Sequence, residues 1–132
     1  MREKRKILLD TSALLLFFEG VDVLDKLWYA LQEPMEFYTL DAVVKELREL
    51  AKSPGSRRGR AARTVLTYVL SKLKVIETRG KYETADDAIV EFVKEHPEFI
   101  IVTLDEELRS RLKELNAKVL TWWASRKRFS RG

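Results

Sequence analysis

Two short runs, Ile7-Leu-Leu9 and Phe99-Ile-Ile-Val102, are apolar at every position, and each is closely followed by an aspartate, Asp10 and Asp105. A strand with one wet face alternates apolar and polar residues, whereas an unbroken apolar run is expected where both faces are covered, as in a parallel sheet flanked by helices. Glu36-Phe-Tyr-Thr-Leu40, Lys74-Val-Ile-Glu77 and Lys118-Val-Leu-Thr-Trp122 read as further strands. Between them lie helical patterns: Thr11 to about Glu19, Asp22 to Pro34, Asp41 to Ala51, an arginine-opened segment to about Leu73, Thr84 to Glu95, and Glu106 to Leu115. Strands alternating with amphipathic helices predict an α/β chain, a parallel sheet with helices on both faces. A length of 132 residues suits one domain. Residues 124–132 read as a frayed basic tail. Trp28, Tyr68 and Phe92 are expected in the core, while Trp122 and Trp123 suit core, interface or base stacking.

The chain has no cysteine and one histidine, His96, which excludes disulfides, zinc ribbons, iron–sulfur clusters, a thiol nucleophile and any multi-histidine metal site. Any metal ligands must therefore be oxygens. The basic start is followed by an apolar run that Asp10 interrupts at once, so it fits neither a signal peptide nor a membrane span, and a cytoplasmic protein is expected. The net charge of +4 is unevenly spread: residues 2–6 carry +3, residues 57–63 carry +4 and residues 126–131 carry +4, leaving −7 on the rest. A basic periphery around an acidic body suits a phosphate-bearing partner such as a nucleic acid, although solubility or heat stability would produce it too.

Active sites of open parallel sheets form at the C-terminal ends of the strands, near the point where strand order reverses. Asp10 and Asp105 fall there. Asp86 and Asp87 lie in the first turn of their helix, where Ala85, Ala88, Ile89, Phe92 and Val93 define the buried face; Asp86 falls at its edge and Asp87 points away. Glu46 lies at the margin of an apolar arc of Val43, Leu47, Leu50 and Ala51. Each acid has a plain alternative, as a helix cap, a first-turn acid favoured by the helix dipole, or a solvated glutamate; a box of Thr103 and Glu106 is one such cap. Several carboxylates gathered at one sheet end repel one another, and a divalent cation is the usual remedy.

Ile7-Leu-Leu-Asp-Thr-Ser-Ala-Leu14, Val43-Val-Lys-Glu-Leu47, Thr84-Ala-Asp-Asp-Ala-Ile89 and Ile101-Val-Thr-Leu-Asp105, in that order, resemble the acidic motifs of PIN-domain nucleases. Thr39 to Leu47 and the paired Asp86-Asp87 are most similar to the Fcf1/Utp24-like, ribosome-processing branch, with VapC-type toxins more distant. The resemblance implies a single three-layer α/β/α sandwich with a parallel sheet of four to five strands. It also implies an endoribonuclease dependent on Mg²⁺ or Mn²⁺, with Asp10, Glu46, Asp86 and Asp105 as its acidic quartet. Asp10, Asp86 and Asp105 would hold the metal, with Glu46 and Asp87 as further candidates and Ser12 and Thr103 supporting them. The fourth motif reads Thr-Leu-Asp where many relatives have Thr-Asn-Asp, which removes a polar group and keeps the acid. Arg57, Arg58, Arg60 and Arg63 lie outside the general motif and are candidate RNA-phosphate contacts. RNA is the expected partner, and a second copy or a ribosome-assembly factor is a further one; no membrane is expected. The alternatives are a VapC-type toxin ribonuclease and a PIN module that binds RNA or protein without cutting. A phosphatase with Asp10 as nucleophile fits less well, because Ser12 stands where its second aspartate would be.

Overall fold

Buried strands leave their backbone groups no water to bond, so they must pair with one another. The computed structural model, which describes residues 3–132, shows them doing so in one six-stranded sheet. In chain order the elements are β1 (Arg5–Leu9), α1 (Thr11–Leu15) with a 3₁₀ turn (Leu16–Glu19), α2 (Val23–Leu31), β2 (Met35–Leu40) and α3 (Asp41–Ala51). There follow α4 (Arg57–Thr64), β3 (Lys74–Ile76), α5 (Ala85–Glu95), β4 (Ile100–Val102), α6 (Glu106–Glu114), β5 (Lys118–Trp123) and β6 (Arg128–Arg131). Arg2, part of the basic start, lies outside the described residues.

The strand order is β3-β2-β1-β4-β5-β6. β1 to β5 run parallel, as the unbroken apolar runs predict. Order reverses at β1, which has β2 on one side and β4 on the other, in the registers Ile7↔Phe37 and Ile7↔Ile100. Right-handed crossovers on either side of that point put α1 to α4 on one face of the sheet and α5 and α6 on the other. The core is continuous through both layers: Ile7, Leu8, Leu9, Leu14, Leu40, Leu47, Ile89, Ile101, Leu108 and Leu112 are fully buried.

The structure corrects the sequence reading in three places. The 124–132 segment is not frayed: Arg128–Arg131 pairs antiparallel with β5, Trp122 opposite Phe129. Phe129 is buried against Trp122 with the ring centroids 5.0 Å apart, and burying such a side chain is worth about 1.5–3 kcal/mol, enough to order a short charged strand. The helix opened by the arginines keeps α geometry only to Thr64, then widens to a π turn (Val65–Val69) and tightens to a 3₁₀ turn (Leu70–Lys72). Trp28 and Tyr68 are exposed rather than in the core, because the buried residues of their segments are Val23 and Leu27 on one and Val65 and Val69 on the other. Phe92 is in the core as expected, stacked on His96 and edge-to-face with Phe99.

Candidate active site

β1 and β4 end side by side, so their first residues beyond the strands must meet. The ladder continues one step past the strands, with Asp10 N–H donating to the Val102 carbonyl at 3.2 Å. Asp10 is buried and also serves as the N-cap of α1, its Oδ1 accepting from Ala13 N–H at 2.9 Å. The cap is thus Asp10 itself, and Thr11 is the first residue of the helix. Ser12 Oγ donates to Asp10 Oδ1 at 2.8 Å and accepts from Leu104 N–H at 2.9 Å. Thr103 Oγ1 donates to Asp10 Oδ2 and accepts from Asp105 N–H at 3.1 Å. Both hydroxyl protons therefore go to Asp10, and both hydroxyl oxygens fasten the loop after β4. Asp105 caps α6, its Oδ1 accepting from Leu108 N–H at 3.0 Å; the box of Thr103 and Glu106 does not form, because Asp105 fills the cap position.

Asp86 and Asp87 occupy the first turn of α5 behind the Thr84 cap. The segment leading to that cap is anchored by Asp41, whose carboxylate accepts from Thr78 Oγ1 at 2.8 Å and Thr78 N–H at 3.1 Å. Both aspartates are half-buried, and they have different neighbours. Asp87 pairs with Arg111 of α6 at 3.0 Å. Asp86 turns toward the other acids: its carboxyl is raised by partial burial, then by the charges of Asp105 and Glu46, with Arg111 opposing and Glu107 adding to the rise. Burial likewise pushes Asp10 up to about 6, against the pull of its bonds from Thr103, Ala13 and Ser12, and the charge of Asp86 adds to the rise. The charges of Asp105 and Glu46 thus reach Asp86, and that of Asp86 reaches Asp10.

Of the four arginines, two are engaged with the protein itself. Arg57 is paired with Glu19 at 2.7 Å over the Phe18 ring, and Arg63 donates to the Ala51 carbonyl at 2.7 Å. Arg58 and Arg60 are exposed on the first turns of α4. The structure adds three residues that the sequence reading missed. Arg111 and Glu107 tune Asp86, but their reach depends on how α5 packs against α6, which no local pattern announces. Thr11 Oγ1 is buried without a partner beside Asp10; a hydroxyl directly after the strand-ending acid was the available signal.

The donor set is wholly oxygen, and a carboxylate offers about four acceptor positions, of which Asp10 has filled three with Ala13, Ser12 and Thr103. Among the described residues no three acidic or imidazole groups are placed to hold a metal ion together. Such a site fits a hard cation that keeps part of its water, since Mg²⁺-type sites use few direct carboxylates.

The model of the PIN-like domain family matches residues 7–124. The chain belongs to that family. Its relatives include ribonuclease VapC4 of Methanocaldococcus jannaschii, 29% identical over 117 residues that cover 87% of this chain and 88% of that protein. The PIN-domain endonuclease Utp24 has the same fold, with a TM-score of 0.77, 22% identity and coverage of 96% of this chain and 92% of that one. T5 5′-exonuclease, solved with divalent zinc ions bound, superposes with a TM-score of 0.54 at 13% identity, over 96% of this PIN domain and 58% of the exonuclease. Among the described residues of the PIN domain, no helix is long and apolar enough to cross a membrane.

Proposed function

We propose that this PIN domain is a divalent-metal-dependent endoribonuclease that hydrolyses RNA phosphodiester bonds and leaves a 5′-phosphate and a 3′-hydroxyl. The observation that carries the reading is the buried Asp10, held by Ser12 and Thr103 where strand order reverses, with Asp86 pushed up by burial and the neighbouring acids. Such a concentration of negative charge destabilises an empty domain, and it serves a purpose where a cation is to be bound. Asp10, Asp86 and Asp105 would hold Mg²⁺ or Mn²⁺, with Asp87 held back by Arg111. A cation there supplies charge relief to the phosphate and makes water nucleophilic at neutral pH. Ser12 and Thr103 fix the Asp10 carboxylate by donating to both of its oxygens, so it need not reorganise during the reaction. Glu46, on α3 across the cleft, would orient the attacking water and take its proton. Arg58 and Arg60 would contact RNA phosphates without reading sequence.

The similarity to ribonuclease VapC4 supports the ribonuclease reading. The sequence motifs suit two physiological roles, ribosomal-RNA processing and, as the second reading, a VapC-type toxin ribonuclease. Cleavage of a 5′-labelled single-stranded RNA in Mg²⁺ or Mn²⁺, lost in EDTA and restored by metal, is the expected result. Undiminished cleavage by nuclease-free protein in EDTA would refute the metal-dependent reading.

A further inference from the structure

The two tryptophans that end β5 are adjacent in sequence but point to opposite faces of the sheet, because side chains alternate along a strand. Trp122 packs on Phe129 and is half-buried; Trp123 is 44% exposed. β5 is parallel to β4 with Leu120 opposite Val102, so Trp123 lies at the same end of the sheet as Asp105. The hairpin turn that follows, from Trp123 to Arg128, therefore projects past the carboxylate end, and Arg126, Lys127 and Arg128 are all exposed on it. Trp123 and Trp122 share a cavity of about 310 Å³ with Leu104, Glu106, Arg109 and Thr121. Leu104 is the residue whose N–H is fastened to Ser12, so this cavity opens directly beside the loop carrying Asp105.

The charges sharpen the contrast with the other basic cluster. Arg57 and Arg63 of α4 are bonded within the protein, whereas Arg126, Lys127 and Arg128 form no ion pair among the described residues. The hairpin joins an exposed indole to cations without ion pairs: Arg128 lies opposite Trp123, and Lys127 lines the Trp122 side with Glu19 and Asp22. A ring that stacks a base and cations that take the flanking phosphates are what holds single-stranded nucleic acid.

We propose that the β5–β6 hairpin is a single-stranded RNA site, in which Trp123 stacks one unpaired base and Arg126 and Lys127 hold the neighbouring phosphates, delivering the strand to the cleft beside Asp105. This rests on the nuclease reading for its substrate and adds the residues that select unpaired RNA. The site has no use for a duplex, whose bases are already stacked.

Binding is measured by fluorescence anisotropy of a labelled oligouridylate of about 15 nucleotides in EDTA, and cleavage of the same strand in Mg²⁺. Trp123→Ala is expected to weaken binding about tenfold and raise KM in proportion while kcat holds, with Trp123→Phe recovering most of the loss. Arg126→Ala with Lys127→Ala is expected to flatten the salt dependence by about 1.4 in the log–log slope, since each single-strand phosphate contact contributes about 0.7. Thermal melts establish that each variant is folded. A wild type that cleaves with a KM untouched by these changes, or that binds a perfect duplex equally well, overturns the hairpin site and leaves the nuclease reading standing. A wild type that binds through Trp123 without cutting upholds the site and overturns the nuclease reading; one that neither binds nor cuts overturns both.

Discussion

Asp10 meets two demands that pull in opposite directions. Three donors favour its charge, and burial opposes it strongly enough to leave the carboxyl near 6 against an ordinary value of 3.8. The folded chain therefore binds a proton that the unfolded chain releases between those values. Its contribution to stability is full below about pH 4 and is lost as pH rises through about 6, a swing of about 3 kcal/mol. Urea unfolding in EDTA is expected to show stability falling over that window in the wild type and a shallower fall in Asp10→Asn; parallel curves would mean that another group is responsible. The adjacent pair gives a second expectation. Asp86→Asn is expected to cut cleavage by orders of magnitude while leaving folding intact or slightly firmer, since it relieves repulsion from Asp105 and Glu46. Asp87→Asn loses a half-exposed pair with Arg111 worth about 0.2–1 kcal/mol and keeps most activity. An inactive Asp87→Asn beside an active Asp86→Asn would move the assignment by one residue. The places of Asp10 and Asp105 were legible because a strand end fixes where its next residue goes. Arg111 was not, since its partner is set by the packing of α6 against α5, across β4 in the chain.

At the scale of elements, α4 and the β5–β6 hairpin show how a basic run can mean different things. Ser56 caps α4 by accepting from Gly59 N–H at 2.9 Å, and the helix start then presents Arg58 and Arg60 outward while Arg57 folds back on Glu19. Arg58→Ala with Arg60→Ala is expected to flatten the salt slope of RNA binding by about 1.4, and adding Arg57→Ala to change it little further. A third, equal step would show that the Glu19 pair opens in the complex. The parallel strands were legible from unbroken apolar runs. β6 was not: one apolar residue, Phe129, among four cations gives no period, and its pairing appears only when β5 offers an edge and Trp122 a surface. The π turn after α4 was equally hidden, since Val65 to Val69 suits any helical winding.

For the whole molecule, the α/β class and the layered sandwich follow from alternation of elements, but the order β3-β2-β1-β4-β5-β6 depends on which strands find one another. That order makes a cation a structural ligand as well as a reagent, since the acids it would neutralise lie between both helix layers. At pH 7, Mg²⁺ or Mn²⁺ at about 100 times its Kd is expected to add about 2.7 kcal/mol and raise Tm by several degrees, with the gain reduced in Asp86→Asn. A melting curve indifferent to metal would separate the acid cluster from cation binding. The antiparallel run of β6 has one more outcome. β1 enters the sheet at the pole opposite the carboxylates, and β6, reversing direction, brings Gly132 back level with Val119 near that same pole. A fluorophore or surface tether attached beside β1's first residue, Arg5, or beside Gly132 would thus hang from the pole opposite the carboxylates, and a protein held there would present them outward.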